Sequence, residues 1–410
     1  MTIKNKFLKS FIVLASGSLI GQVVTAVSSP VMTRVFSTND IGTYTYILSI
    51  INLFYPVVAL RYDYMIVPEK SKKNVYALLK VSFTLLIIFS VLIAFFYFVF
   101  NMSEKDIVAI SLLLFAMMVS NGFVDIIGNY NNKYGQYKLM SSTYVTRSIV
   151  QNTLMIVAGL LHFGVLGLIA SQAIGSFAGL TRQSKDVIKE RGNIVDAPLK
   201  DMIYVVKKYK NQAFLSTPAI FMNSLAYNAL NLAISAIFGN SMLGLYSMSY
   251  RILGMPVSLI SNNLSKVYYE EAAKEYEKNG NFVKSFKKII IYTIPIAIIM
   301  LVILVVCAPA IFAFIFGAKW RTAGVMSQIL APLFASRIVA STLGPSIWIT
   351  QQQKYDMIFQ ILLICGLVIS IAGGIFAHLG IYGFLLIYSF LNTFVYLYSI
   401  YVHYTLSRGQ

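Results

Sequence analysis

Two arginines interrupt long apolar runs of this sequence, where each could bind an anion. Arg251 and Arg337 each have at least 14 uncharged residues on either side. A guanidinium offers five N–H donors in a planar fork that suits phosphate and carboxylate oxygens. An ionised side chain inside a membrane is costly and commonly faces a wet cavity. We therefore predict an anion-binding site at these arginines; the alternative is a structural pairing with backbone carbonyls or a neighbouring helix.

Three further charged residues lie near the predicted ends of their membrane spans. A helix rise of about 1.5 Å per residue places Arg61 and Asp63 at the end of the second span and Asp125 at the end of the fourth. Side chains at such depths reach the headgroup region at little cost, so a structural role explains them as well as a functional one. In the functional reading, Asp63 and Asp125 couple transport to an ion gradient.

Two spans carry uncharged polar residues along one face. Steps of three, four and seven residues keep them on the same side of a helix. Amides in such numbers favour a wet cleft, and the alternative is hydrogen-bonded helix packing. We predict substrate binding by Gln22, Asn228 and Asn231. They belong to two series: Ser18, Gln22, Thr25 and Ser29 in span one, and Thr217, Ser224, Asn228, Asn231 and Ser235 in span seven.

The residue inventory gives no support to enzymatic or metal chemistry. The chain has 3 histidines and 2 cysteines, and none stands at the spacing of a metal site. A Walker loop and a glycine-rich phosphate cradle are both missing from the sequence. We therefore predict a protein that is not an enzyme and holds no metal or cofactor. Energy for transport would come from an ion gradient, the substrate gradient or a partner.

The elements that must position these residues are membrane-spanning helices. Hydrophobic residues make up 58% of the 410 residues and charged residues 12%, against about 45–50% and 25% in soluble domains. Charge-free runs that exceed the roughly 20 residues needed to cross a bilayer core recur along the chain. The longest break near residues 162–167, 239–240 and 378–383. The sequence therefore predicts an all-α integral membrane protein of about twelve transmembrane helices.

The basic residues are distributed unevenly between the two ends of these spans. The net charge is +18, but 26 of the 33 basic residues fall at one set of span ends and only four at the other. Such asymmetry is the positive-inside rule, so the charge does not indicate nucleic-acid binding. It predicts a multi-pass protein of a bacterial inner membrane with both termini in the cytoplasm.

The chain divides into two similar halves. We predict an N-terminal six-helix lobe over 1–182, a cytoplasmic linker over 183–210 and a C-terminal six-helix lobe over 211–410, with pseudo-symmetry about the membrane normal. Residues 270–288 form either a surface helix or a solvated loop. The repeat is carried by a pattern that recurs after 202 residues: Phe36-x5-Gly42-x-Tyr44 and Phe238-x5-Gly244-x-Tyr246.

Several strings together give the chain a family resemblance. It resembles the polysaccharide-specific flippases, the Wzx-type O-antigen and capsule repeat-unit translocases of the multidrug/oligosaccharidyl-lipid/polysaccharide exporter superfamily, over nearly its whole length. The strings are LASGSLIGQ, SPVMTRVFSTNDIGTY, ALRYDYMIVP, GLYSMSYRILGMPVSLI and FGAKWRTAGVMSQILAP.

The resemblance implies a MATE-like fold, with two six-helix lobes around a central cleft that opens by alternating access. It implies a substrate of a few sugars on undecaprenyl pyrophosphate, flipped to the outer leaflet for O-antigen, capsule or exopolysaccharide synthesis. Polysaccharide polymerase and glycosyltransferases would be partners beside the lipid bilayer. Cationic residues of the cleft would attract the pyrophosphate or acidic sugars, a role that falls to Arg251 and Arg337 first and to Arg34 and Arg61 next.

Three other functions compete with the polysaccharide flippase. A cation-coupled multidrug exporter of the same superfamily should carry carboxylates deep in its cleft, whereas the deepest charges here are arginines. A membrane glycosyltransferase or polymerase would need catalytic residues in a large outer loop, and the predicted outer loops are short. A structural scaffold would not need the polar series.

Overall fold

The structure is a computed structural model that describes residues 3–102 and 106–409, with side chains from residue 16 onward. The side chains of Lys4, Lys6 and Lys9, and the whole of Lys105, enter the charge count but lie outside the described residues. Every regular element in the described part is helical. The predicted all-α fold class is therefore confirmed.

Twelve helices of at least 14 residues account for most of the described chain, in agreement with the predicted number of spans. Eight helical segments are long and apolar enough to cross a membrane, and they begin at Lys72, Ile107, Gly164, Gln212, Val283, Ala318, Lys354 and Ile381. The helices are α1 (Ile3–Val35), α2 (Thr38–Phe54), α3 (Lys72–Phe100), α4 (Ile107–Lys133), α5 (Tyr137–Leu160), α6 (Gly164–Phe177), α7 (Thr217–Phe238), α8 (Asn240–Asn279), α9 (Val283–Phe316), α10 (Arg321–Leu343), α11 (Lys354–Phe376) and α12 (Ile381–Ser407).

The chain forms two compact units, Met1–Ala229 and Leu230–Gln410, which divide inside α7. In the first unit, α1 packs on α5, while α6 packs on α2, α4 and α5. In the second, α10 packs on α8, α9 and α12 and is largely buried. The division into 1–182, 183–210 and 211–410 stays a prediction.

The breaks between helices fall where the sequence predicted them. Gly239 separates α7 from α8 with a φ of 83°, a conformation that glycine adopts without steric cost. The other two breaks repeat each other at an offset of 216 residues: His162 and His378 both have positive φ, 58° and 49°. Each histidine is the first residue of a His-x-Gly-x-x-Gly sequence that runs into the last helix of its half. The sequence analysis did not use this second repeat.

The residues of the first repeat have equivalent neighbours in the two halves. A Cβ atom on Gly159 of α5 would lie 2.8 Å from Phe36 Cε2, and one on Gly374 of α11 would lie 3.9 Å from Phe238 Cζ. Both phenylalanines therefore pack against a glycine of the fifth helix in their own half, as pseudo-symmetry requires.

The tyrosines of the same repeat behave alike. The Tyr44 hydroxyl donates to Gln172 Oε1 at 2.8 Å, and Tyr246 lies close to Tyr388. Gln172 and Tyr388 are 216 residues apart on the sixth helices of the two halves, α6 and α12. The two halves thus share internal packing as well as a short sequence pattern.

Two boundaries differ from the prediction. The second span does not continue as a helix to Arg61, because α2 ends at Phe54 and Pro56 follows in a short 3₁₀ turn. A proline inside a helix removes a backbone hydrogen bond and clashes with the preceding turn. Arg61 then adopts a φ of 63°, and Asp63 stands in a second 3₁₀ turn, Tyr62–Ile66.

Residues 270–288 belong to two long helices. They form neither the separate surface helix nor the loop that was predicted. Helix α8 runs unbroken for 40 residues to Asn279, Gly280 turns the chain with a φ of 68°, and α9 begins at Val283. Glu275 of α8 accepts from the backbone N–H groups of Lys284 and Ser285, so it caps the start of α9.

The predicted linker folds as four short helices, Leu180–Gln183, Lys185–Lys189, Arg191–Val195 and Leu199–Lys208. Polar contacts tie them to α3 of the same unit. Lys73 pairs with Asp201 at 3.0 Å, and Lys80 Nζ donates to the backbone oxygens of Val195 and Ala197 at 2.6 and 2.8 Å.

A buried carboxylate makes the tightest of these contacts. Glu69 accepts from Lys208 Nζ at 2.6 Å and from the Tyr209 hydroxyl at 2.7 Å, and its side chain is only 5% exposed. Burial alone would raise its pKa, but the hydrogen bonds from Lys208 and Tyr209 outweigh it and lower the pKa of Glu69 from 4.5 to about 2. Glu69 therefore holds the end of the linker as an anion.

Candidate functional site

Arg337 is supported by aromatic side chains of the second unit. Its Nη1 donates to the Tyr250 hydroxyl at 2.7 Å. The guanidinium carbon lies 5.7 Å from the ring centroids of both Tyr250 and Phe334, which pack edge to face at 5.2 Å. Tyr246, 1% exposed, packs on Tyr250 at 5.8 Å. Since aromatic faces stabilise a desolvated cation, this arrangement holds a charged guanidinium on a largely buried helix.

Arg251 lies in the same unit as Arg337. It follows Tyr250 on α8 and is half-buried, and α8 packs directly on α10. Successive helical residues are rotated by about 100°, so Arg251 and Tyr250 leave α8 in different directions. Asn231, also half-buried, stands on α7. The two predicted arginines thus lie on two helices that pack against each other, and Tyr250 contacts Arg337.

A cavity of about 320 Å³ lies inside the first unit, around the end of α4 and the first half of α5. Asp125 is exposed on its wall. Two tyrosines, Tyr64 and Tyr144, line it with 45% and 46% of their surface exposed. Its other lining residues are Ser18, Val124, Gly128, Asn129, Asn132, Met140, Ser141, Thr143, Arg147 and Gln183.

Charged residues of both signs meet around this cavity. Asp125 is close enough to Asp63, Arg147 and Arg61 to interact with each electrostatically. Asp63, 6% exposed, accepts from Asn129 Nδ2 at 2.9 Å. The guanidinium of Arg61 lies 3.4 Å from the centroid of the Tyr64 ring. The structure therefore brings together Arg61, Asp63 and Asp125, which the sequence analysis singled out separately.

The lining of the cavity does not include the remaining predicted residues Gln22, Arg34 and Asn228. Gln22 is half-buried on α1, and its Oε1 has no hydrogen-bond partner among the described residues. Arg34 is exposed, about 18 Å further along α1 at a rise of about 1.5 Å per residue. Asn228 donates to the Ser224 carbonyl of its own helix at 2.8 Å.

Part of the first polar series packs between helices. The Ser29 hydroxyl donates to the Thr25 carbonyl of α1 at 2.7 Å. Thr25 Oγ1 accepts from Asn152 Nδ2 of α5 at 3.3 Å. Helix packing, the alternative reading of the series, therefore describes Thr25, whereas the Ser29 hydrogen bond lies within its own helix. Ser18 of the same series lines the cavity.

Arg147 is a charged residue of the cavity that the sequence analysis did not single out. It was counted among the basic residues at the ends of spans, yet it lies ten residues after the start of α5, or about 15 Å along the helix. Its Nη2 donates to Asn121 Oδ1 at 2.9 Å. The signal was present in the sequence, because Arg147 comes after Lys133 and Lys138 and directly precedes the uncharged run of residues 148–181.

The described residues contain no group of three or more His, Cys, Asp or Glu that could hold a metal ion. The donors gathered in both units are instead arginine, amide and tyrosine groups. Such groups can bind anions and hydroxyl-rich ligands, and the first unit adds the carboxylates of Asp63 and Asp125.

Comparison with known proteins gives similar solved structures. The lipid II flippase MurJ in its inward closed conformation has a TM-score of 0.68 at 14% identity, covering 97% of this chain and 90% of that one. An inward-facing multidrug resistance MATE transporter of the MOP superfamily has a TM-score of 0.65 at 13% identity, covering 97% of both chains. A MOP superfamily transporter from Pyrococcus furiosus has a TM-score of 0.58 at 13% identity, covering 98% of this chain and 95% of that one.

At these identities the likeness shows the fold alone, which is MATE-like. No curated protein sequence matches the chain. A family model described as polysaccharide biosynthesis protein matches residues 31–324, which is more than half of the chain. The chain therefore belongs to the polysaccharide biosynthesis protein family, the Wzx-type flippases that it resembles by sequence.

Proposed function

We propose that this protein translocates undecaprenyl-pyrophosphate-linked oligosaccharide repeat units from the cytoplasmic to the outer leaflet of a bacterial inner membrane. It works by alternating access, supplies O-antigen, capsule or exopolysaccharide synthesis, and catalyses no covalent step. Polysaccharide polymerase would consume the product, and glycosyltransferases would supply the substrate.

The observation that carries this proposal is the arginine–tyrosine arrangement on α8 and α10. Arg337, about 24 Å along α10 from Arg321 at a rise of about 1.5 Å per residue, is held by Tyr250 and by two aromatic faces. An oriented guanidinium is a strong binder of phosphate oxygens because two parallel hydrogen bonds can form. We assign Arg337 and Arg251 to the pyrophosphate, with Arg34 and Arg61 as weaker cationic contacts.

The amides and carboxylates have separate roles in this proposal. Gln22, Asn228 and Asn231 would hydrogen-bond the sugars. Asp63 and Asp125 are the carboxylates proposed for ion coupling, and Asp63 is the better placed because Asn129 fixes its orientation at 2.9 Å.

A cation-coupled multidrug exporter is the second candidate function. It is favoured by Asp125, a carboxylate exposed on a cavity wall in the first unit. It is disfavoured by Arg147, which lines the same cavity and would repel a cationic drug.

Deletion of the gene in its own host tests the proposal. Lipid extracts of the mutant should contain accumulated oligosaccharide on undecaprenyl pyrophosphate, while surface polysaccharide disappears; mass spectrometry would then name the sugars. Unchanged polysaccharide together with increased drug sensitivity would move the assignment to the multidrug exporter.

A further inference from the structure

We propose that the cavity of the first unit, lined by Asp125, Arg147, Tyr64, Tyr144 and Gln183, is a binding site for a neutral sugar ring. This inference rests on the proposed function, since the ring would belong to the translocated oligosaccharide. It assigns a ligand class to a cavity apart from Arg337 and Arg251, the two arginines that we assign first to the pyrophosphate.

The charges around the cavity exclude strongly charged ligands. Asp125 and Arg147 both line the cavity, and Asp63 and Arg61 lie within electrostatic range of Asp125. The two positive and two negative charges balance. A phosphate would meet the carboxylate of Asp125, and an organic cation would meet Arg147. A neutral ligand with many hydroxyl groups can donate to the carboxylate and accept from the guanidinium at the same time.

Two buried oxygens of the lining lack hydrogen bonds. Thr143 Oγ1 and Gln183 Oε1 have no partner in the part of the chain that the structure describes, although each residue is only 3% exposed. Gln183 is fixed in place, since its Nε2 donates to the Val124 carbonyl at 3.2 Å. A buried acceptor without a donor is costly, and a ligand hydroxyl would satisfy it.

The two exposed tyrosines supply the apolar part of a sugar site. Tyr64 and Tyr144 come from separate elements, a 3₁₀ turn and α5, and both keep nearly half of their surface uncovered. Tyrosine presents a flat apolar ring together with a polar hydroxyl, which matches the C–H face and the hydroxyl rim of a pyranose.

The size of the cavity agrees with this ligand. Its volume of about 320 Å³ lies at the lower end of small-molecule sites, which span about 300–1,000 Å³. A volume at the lower end of this range suits one sugar ring better than a whole oligosaccharide. We therefore assign it to a single residue of the repeat unit.

Protection of a cavity cysteine from labelling tests the assignment. Cys307 and Cys365 are exposed, so both are first replaced by alanine. Asn132→Cys then reports on the cavity that Asn132 lines, and Asn279→Cys at the exposed end of α8 is the matched control. The purified protein is labelled with a maleimide in the presence of methyl glycosides of glucose, galactose or N-acetylglucosamine, or of sodium pyrophosphate.

We expect at least one neutral glycoside to slow labelling of Asn132→Cys at least threefold at about 100 mM, because a ligand of this size binds with a Kd on the order of 1–10 mM. Labelling of Asn279→Cys should not change. Adding Asp125→Asn and Arg147→Met to the Asn132→Cys protein should abolish the protection.

Three results would overturn the assignment. They are no protection by any neutral glycoside, equal protection by pyrophosphate, and protection that survives Asp125→Asn with Arg147→Met. The labelling needs no transport, so it is independent of the lipid analysis above. Lipid accumulation in the deletion strain without glycoside protection would reject the sugar cavity alone; protection without lipid accumulation would reject the flippase proposal.

Discussion

Replacement of Glu69 by glutamine should release the end of the linker from the segment that precedes α3. The side chain keeps its size but loses the charge that holds Lys208 and Tyr209. A pKa lowered from 4.5 to about 2 corresponds to about 3 kcal/mol at about 1.4 kcal/mol per pKa unit. Since the Lys208 side chain is 36% exposed and solvent screens such pairs, we expect about 1–2 kcal/mol.

Limited proteolysis measures this effect locally. Cleavage of a transiently opened segment follows the population of the open form, and about 1.4 kcal/mol is tenfold in that population. At pH 7 trypsin should therefore cut the linker of Glu69→Gln about five- to thirtyfold faster than that of the wild type. Glu277→Gln, an exposed glutamate on α8, should leave the rate unchanged.

The pH dependence has a defined sign. The folded pKa of Glu69 is about 2, below its usual 4.5, so its contribution is present above pH 4.5 and is lost as pH falls towards 2. Cleavage of the wild-type linker by an acid protease should rise across this window, and Glu69→Gln should show a smaller rise. A linker that is cut within twofold of the wild-type rate at pH 7 would refute the reasoning.

Three further predictions concern transport and packing. In a complementation assay of the deletion strain, Arg337→Ala should reduce surface polysaccharide at least tenfold at normal protein abundance, because charge-assisted hydrogen bonds contribute about 1.5–3 kcal/mol each. Arg321, exposed on the same helix, is the control, and Arg321→Ala should complement fully. Asp63→Asn should leave abundance unchanged but lower transport at least tenfold if ion coupling uses this carboxylate, and full transport would exclude it. Gly324→Ala should destabilise the second unit by about 1–3 kcal/mol, because its Cβ would lie 2.5 Å from Pro309 Cα. Gly254→Ala is the control, since a Cβ there would have nothing within 4 Å. In thermal unfolding it should be neutral or stabilising by up to about 1 kcal/mol.

The fold was predictable because bilayer thickness and turn chemistry act locally. Uncharged runs fixed the number of helices, and Gly239 marked a break that the structure confirms. The end of α2 was missed although Pro56 was visible in the sequence, because hydropathy continues through Leu60. The repeat that contains His162 and His378 was equally visible but was not compared between the halves.

The candidate sites were only partly predictable, since they depend on which helices pack together. Sequence alone placed Arg61, Asp63 and Asp125 near span ends. Only the packing of α4, α5 and the turn after α2 brings them beside one cavity with Arg147. The Tyr250 contact with Arg337 joins residues 87 positions apart, which no spacing rule reaches.

The most direct test of the central claim is flipping by the purified protein. Proteoliposomes would contain the host's own oligosaccharide-linked undecaprenyl pyrophosphate in both leaflets, together with an impermeant glycosidase outside. Without protein, about half of the lipid-linked sugar should be cleaved. With the wild-type protein nearly all of it should become accessible, and with Arg337→Ala the fraction should return to half. Cleavage that stays at half with the wild-type protein under every ion gradient would contradict the account.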